Sequence, residues 1–158
     1  MSKIDEAIKR VYSILEEIEK ETHTDILISF RIDLAFYMLY LSKSDNNISD
    51  EELTAVIDVT KLDLTPKELL AIAGPKGVLT EDYSTKVPES FRALVDIDKK
   101  TKAEGGIAAA APVVLLMYEV VGEHLMKADG ATTEDEMVNY KAYLDMLDDY
   151  RKKELLNI

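Results

Sequence analysis

The apolar positions of the chain recur with helical spacing in almost every segment that carries them. The first segment is an example, because its apolar residues alternate by steps of four and three along one side of a helix, at Ile4, Ile8, Val11, Leu15 and Ile18. No segment alternates apolar and polar residues with the period of two that a half-buried strand requires. The pattern therefore predicts an all-α bundle of about seven helices.

Residues that start and stop helices set the predicted boundaries. Ser49, Thr65 and Thr133 each precede a Glu by three positions, which is typical of a capping box at a helix start. Pro112 predicts either a late start or a kink in the sixth helix. Gly and Pro punctuate residues 74–87, which we expect to form a loop. The predicted helices cover residues 3–20, 24–43, 49–60, 65–73, 89–102, 107–127 and 133–150, and the tail after 150 either continues the last helix or frays.

The second and sixth predicted helices are apolar on most sides, which places them at the centre of the bundle. Arg31 and Asp33 interrupt the second helix, and we interpret them as a polar strip facing solvent or the other half of the molecule. The most apolar stretch, residues 107–118, is shorter than the roughly 20 residues that a membrane-spanning helix needs. The polar N-terminus does not have the pattern of a signal peptide, so we expect a cytoplasmic protein without a membrane span.

An internal repeat relates the two ends of the chain. A shift of 84 residues places four pairs of matching residues opposite each other: Leu41 and Leu125, Lys43 and Lys127, Asp45 and Asp129, and Glu52 and Glu136. Each copy has a buried helix, a turn opened by Asp, a capping box and an amphipathic helix. We therefore predict two pseudo-twofold-related helix-turn-helix halves, residues 3–73 and 88–150, within one domain that spans residues 1–158.

The second turn carries a resemblance to a known family. Lys127, Asp129 and Gly130, followed by Thr133 and Glu136 at a helix start, form a pattern that resembles the tellurite-resistance TerB-like family, and so does its degenerate copy in the first half. The resemblance implies an all-α fold of two related helical halves and acidic residues that bind a divalent metal ion. It also implies a role associated with stress response or defence.

Composition narrows the function classes. The chain has 158 residues, of which 31 are acidic and 19 basic, so its formal net charge is −12. This excess of acid argues against nucleic acid as a partner and favours cations or basic proteins. The absence of Cys excludes disulfides, thiolate zinc sites and cysteine nucleophiles. Neither a nucleophile elbow nor a phosphate-binding loop occurs, so we expect a non-enzymatic protein, with a hydrolase lacking these motifs as a less favoured class.

The two Asp turns are the candidate metal site. Ca²⁺ and Mg²⁺ prefer oxygen ligands, and the two turns offer a set of them at Asp45, Asn47, Glu52, Asp129 and Glu136. The spacing does not fit an EF-hand, which needs Gly at position 6 and Glu at position 12 of its loop. The same residues also have a conformational explanation, because Asp and Gly favour tight turns and the two Glu residues complete capping boxes.

Clusters of acidic residues form the second candidate site. They lie toward the ends of the first and last predicted helices, at Glu16, Glu17, Asp145, Asp148 and Asp149. Acid at a helix C-terminus opposes the helix dipole and so favours folding little. The leading hypothesis is an acidic TerB-like stress or defence module that binds a divalent cation. The alternative is an interaction module of the inhibitor or immunity type, which binds a basic protein through these patches without metal.

The metal hypothesis predicts a change in thermal stability. Because the ion would bind the folded state alone, we expect millimolar Ca²⁺ or Mg²⁺ to raise the Tm of EDTA-treated protein. Asp129→Asn removes one ligand charge and is expected to abolish the rise. Thermal unfolding followed by circular dichroism measures both effects, and a wild-type Tm that neither ion changes would contradict the metal site.

Overall fold

Seven helices account for the regular structure in the described part of the chain. The computed structural model describes residues 3–42, 50–73, 86–107, 109–128 and 134–156. Within these ranges all regular secondary structure is helical, which confirms the predicted all-α class. The helices are α1 (Lys3–Thr22), α2 (Ile26–Ser42), α3 (Asp50–Thr60), α4 (Pro66–Ala73), α5 (Glu89–Ala103), α6 (Ala110–Ala128) and α7 (Glu134–Leu156).

The start of α4 shows the predicted capping box. The backbone N–H of Glu68 donates to Thr65 Oγ1 at 3.2 Å, and the backbone N–H of Thr65 donates to Glu68 Oε1 at 3.1 Å. Pro66 occupies the first helical position, where its missing N–H costs nothing. The other two predicted boxes depend on Ser49 and Thr133, which lie outside the described residues.

In two helices of the second half the structure adopts one of the alternatives that the sequence leaves open. Helix α6 begins at Ala110, so Pro112 lies in its first turn and the late start is the alternative that the structure adopts. Helix α7 continues to Leu156 and includes most of the tail. Most of predicted loop 74–87 lies outside the described residues.

The two central helices were placed correctly by their apolar surfaces. Helix α2 packs against α1, α3, α5, α6 and α7, and α6 packs against α1, α2, α5 and α7. Their interface is aromatic. The ring of Tyr37 meets that of Tyr118 edge to face at 4.8 Å and stacks on that of Tyr143 at 5.4 Å, and all three side chains are buried. The pseudo-twofold relation of the halves stays a prediction.

Gly122 lets the tyrosines approach the backbone of α6. A Cβ atom at this position would collide with the ring of Tyr140 and the hydroxyl of Tyr37. The two hydroxyls instead donate to carbonyls of α6, Tyr37 to Tyr118 O at 2.8 Å and Tyr140 to Glu119 O at 3.0 Å. Buried hydroxyls are costly without a partner, so these bonds allow polar rings inside the core.

The N-terminus of α6 is capped by a side chain from α5. Asp98 is 1% exposed, and its two carboxylate oxygens each accept a backbone N–H, from Ala110 and Ala111, at 2.9 Å. Ala109 precedes the helix and has no side-chain oxygen that could cap it. One buried carboxylate thus satisfies two of the free N–H groups of the first turn and faces the positive end of the helix dipole.

The N-terminus of α5 is capped in the same way by a side chain from α2. The cap position of α5 is Pro88, which makes no side-chain cap bond. Asp33 Oδ2 accepts the backbone N–H of Ser90 at 3.0 Å and also its hydroxyl. Asp33 thus connects the first half of the chain to the second. This contact agrees with the second of the two predicted alternatives, a polar strip that faces the other half of the molecule.

Burial makes Asp33 titrate differently from an ordinary carboxyl. Burial raises the pKa of Asp33, and the hydrogen bonds from Ser90 only partly oppose this effect. The folded chain therefore holds this proton more tightly than the unfolded chain does. Stability from this group is complete at low pH and falls as the pH rises through the ordinary value and then through the raised one.

Removal of the Asp98 carboxylate tests the cap on α6. We expect Asp98→Ala to lower the free energy of unfolding by about 3 kcal/mol, because two buried N–H groups lose charge-assisted hydrogen bonds. Urea unfolding measures the change. Asp96→Ala, at an exposed position of the same helix, is the matched control and should stay within about 0.5 kcal/mol of wild type. A loss below about 1 kcal/mol for Asp98→Ala would show that the cap contributes little.

Candidate functional site

One face of α7 carries both acidic side chains and a groove. Asp145 and Asp149 are exposed and stand one turn apart on this face. They line a groove of about 620 Å³, together with Val87, Ala142, Met146, Tyr150 and Lys153. We call this feature the α7 groove. Two of the predicted partner-binding residues are thus brought together beside an apolar surface.

Helical spacing explains why these residues share one surface. Each α7 residue that lines the groove lies three or four positions from another, which aligns them along one side of the helix. Val87 supplies the opposite wall and lies two residues before α5, which packs against α7. The ring of Tyr150 is held against that of Phe91 on α5, with a centroid distance of 6.4 Å.

The charged side chains of the α7 groove follow a fixed order along the helix. Asp145 and Asp149 are like charges at i and i+4, an arrangement that disfavours the isolated helix by a few tenths of a kcal/mol. Lys153 follows one turn later at the other end of the groove. The observed salt bridges among the described residues do not include either aspartate. The groove therefore presents two carboxylates without an observed salt bridge, although the Lys152 ammonium group attracts Asp149 and Lys153 follows Asp149 by one turn.

Asp148 differs from its two acidic neighbours. Its carboxylate oxygens bind Arg151 Nη2 and Lys152 Nζ, each at 2.9 Å. The hydrogen bonds from Lys152 and then Arg151 hold the pKa of Asp148 below its ordinary value. Asp148 does not line the groove, and its charge is already balanced by cations of its own helix. The sequence-based prediction treated the three aspartates as equal, and the geometry separates them.

The expectation that these aspartates end the last helix is wrong. Helix α7 continues to Leu156, so Asp149 lies about two turns before its end. The interaction of a charge with the helix dipole falls off within the last turn. The helix dipole therefore does not disfavour these residues. The unfavourable interaction that remains is the repulsion between Asp145 and Asp149.

The acidic residues of the first helix form a separate surface. Glu16 and Glu17 are exposed on α1. Helix α1 packs against α2 and α6, whereas α7 packs against α5, α6 and α2. The partner-binding role of Glu16 and Glu17 stays a prediction, and they do not line the α7 groove.

The candidate metal ligands fall largely outside the described residues. Asp45, Asn47 and Asp129 lie there, as does the side chain of Glu136, while Glu52 is half-buried on α3. Among the side chains that the structure describes, no group of three His, Asp or Glu residues is placed to hold a metal ion. The metal site stays a prediction.

A second groove lies between α2 and α4. It has a volume of about 270 Å³, and Asp63 is its one charged lining residue within the described ranges. Its walls include Ile28, Ile32 and Ile72, which are 45%, 39% and 53% exposed. Sequence reasoning missed this groove because α2 is apolar all round, and such a pattern does not reveal which side stays uncovered.

Sequence reasoning also missed the apolar part of the α7 groove. Met146 and Tyr150 are four residues apart, each directly after one of the groove aspartates, and this spacing was visible in the sequence. Val87 was not identifiable, because it reaches the groove only through the packing of α5 on α7.

Comparison with known proteins does not assign a family. No family model, no curated protein and no solved structure matches this chain. Within the ranges that the structure describes, no helix is both long enough and apolar enough to cross a membrane.

The different surroundings of Asp148 and Asp145 predict that replacing each with Asn affects the free energy of unfolding differently. At pH 7 we expect Asp148→Asn to lower the free energy of unfolding by up to about 1 kcal/mol, because exposed ion pairs contribute little more than this. The pKa of Asp148 is lowered in the folded state, so the difference should shrink as the pH falls from about 5 to about 3. Urea unfolding across this pH range measures it.

Asp145→Asn is the matched control for that measurement. It removes a charge that repels Asp149 and breaks no observed salt bridge, so stability at pH 7 should be unchanged or slightly higher. A loss as large as that of Asp148→Asn would contradict the separation of the two aspartates.

Proposed function

We propose that this protein is a non-enzymatic interaction module that binds a basic protein partner through the α7 groove. The observation that carries the proposal is the pair of exposed carboxylates, Asp145 and Asp149, beside a partly apolar groove. Exposed carboxylates held near one another without a salt bridge favour a ligand that supplies further positive charge.

In such a site the charges mainly affect the rate of association, and the apolar surface mainly affects the rate of dissociation. The net charge of −12 accelerates encounter with a basic partner over distances of about a Debye length, and salt weakens this effect. Apolar contacts are little affected by salt and slow the dissociation of the complex. Met146 and Tyr150 supply such contacts in the groove. Together these features support a partner with a basic and apolar surface.

The setting that we propose for this binding is a stress or defence response in the cytoplasm. Its support is the resemblance of the Asp129 turn, and of its copy at Asp45, to the TerB-like family. A divalent cation at these turns is a second, independent property, which the metal-dependent change in Tm tests on its own.

Neutralising the two groove aspartates tests the proposed function. The probe is a fluorescein-labelled peptide rich in Lys and Leu, titrated with protein at low salt and followed by fluorescence anisotropy. We expect the Asp145→Asn, Asp149→Asn double variant to bind about five- to tenfold more weakly, because two partly screened charge contacts are lost.

Asp148→Asn is the control, because this charge is already paired, and its affinity should stay within about twofold of wild type. Binding should also weaken as salt is added. A double variant that binds the peptide as well as wild type does would contradict the proposal.

A further inference from the structure

The α7 groove has the length and lining of a site for a helix. Its residues on α7 run from Ala142 to Lys153, which corresponds to about 17 Å or three helical turns. Met146 and Tyr150 form the apolar floor on this side, and Val87 faces them. An occupant that contacts the whole groove is therefore elongated, runs along α7 and presents apolar side chains at intervals of one turn.

The order of charges in the groove specifies the occupant further. Asp145, Asp149 and Lys153 follow one another at intervals of four residues. From the α7 N-terminal end onward, their complement is two cations one turn apart and then an anion. We propose that the α7 groove binds one amphipathic helix of the partner, which runs antiparallel to α7. This helix carries the pattern Glu-x-x-x-Lys-x-x-x-Lys beside its apolar stripe. The inference rests on the proposed function.

The antiparallel direction follows from the order of charges along the bound helix. When the helix runs antiparallel to α7, its Glu lies toward its own N-terminus and its two Lys toward its C-terminus. Glu then precedes Lys by four residues, which is the better order for such pairs in a helix. In the parallel direction Lys would precede Glu by four residues, which is the less favourable order.

A second copy of this chain does not fit the groove. A twofold contact between two α7 grooves would pair residues symmetrically, so Lys153 would face Asp145 but Asp149 would face its own copy. Each chain also carries a net charge of −12, so two copies repel one another. The charge pattern therefore selects a partner of opposite charge.

Side chains of the groove suit a helix with varied apolar residues. Met146 is flexible and adapts to different shapes. Tyr150 is half-buried against Phe91, so the ring presents a rigid, uncharged surface. Specificity then comes mainly from the order of the three charges, and the apolar floor adds affinity.

Three peptides of identical composition test the inference. The first carries the pattern Glu-x-x-x-Lys-x-x-x-Lys with Leu residues along the adjacent face. The second keeps the charges but disperses the Leu residues around the helix, and the third reverses the charge order. By fluorescence anisotropy we expect the first to bind wild-type protein at least tenfold more tightly than the second and about fivefold more tightly than the third.

Variants of the protein locate the peptide in the groove. Met146→Ala should weaken the first peptide severalfold, and circular dichroism should show an unchanged fold. Lys153→Glu should weaken the same peptide, and replacing the peptide's Glu with Lys should restore its affinity for this variant. Ile72→Ser, in the groove between α2 and α4, is the control and should have no effect.

The outcomes separate the inference from the proposed function. Equal binding of the first and second peptides, lost in the Asp145→Asn, Asp149→Asn variant, would overturn the helical mode and leave the acidic interaction site standing. Equal binding of the first and third peptides would overturn the antiparallel order. Loss of binding in Ile72→Ser but not in Met146→Ala would place the peptide elsewhere and overturn the inference. Absence of binding by all three peptides would overturn the proposed function as well.

Discussion

Two carboxylates, one half-buried and one fully buried, are each supplied by one helix to the N-terminus of another and hold the helices of this protein in register. Asp33 on α2 accepts hydrogen bonds from Ser90 on α5, and Asp98 on α5 accepts them from Ala110 and Ala111 on α6. Helix α5 therefore receives one cap and supplies the next. Because a carboxylate at a helix N-terminus is both hydrogen-bonded and favoured by the dipole, these directional contacts add to the apolar packing between the helices.

The α7 groove depends on this arrangement. Asp33 fixes the start of α5, and Val87, two residues before that start, forms one wall of the groove. Helix α7 is attached to α5 by the contact of Tyr150 with Phe91 and by an ion pair between Lys99 and Glu154 at 2.7 Å. The groove aspartates are thus carried by a helix that the core orients, which limits the entropy that a partner must remove on binding.

Local patterns in the sequence were sufficient for the fold class, for the central position of α2 and α6 and for the cap of α4, because each depends on residues within a few positions of one another. The caps from Asp33 and Asp98 were not predicted, because the partner of Asp33 lies 57 residues away and those of Asp98 lie 12 and 13 residues away. In the candidate site, too, only the features that depend on neighbouring residues could be predicted. Asp145 and Asp149 were identified from charge, whereas the groove beside them exists only through the packing of α5 on α7.

The unequal spans of the two caps bear on the order in which the molecule assembles. Closing a short loop costs less chain entropy than closing a long one, so the Asp98 cap, together with the Gly105 turn between α5 and α6, can form early and locally. The Asp33 cap must wait until distant parts of the chain meet. We therefore expect helix α5 to join its neighbour α6 before it joins the first half of the chain.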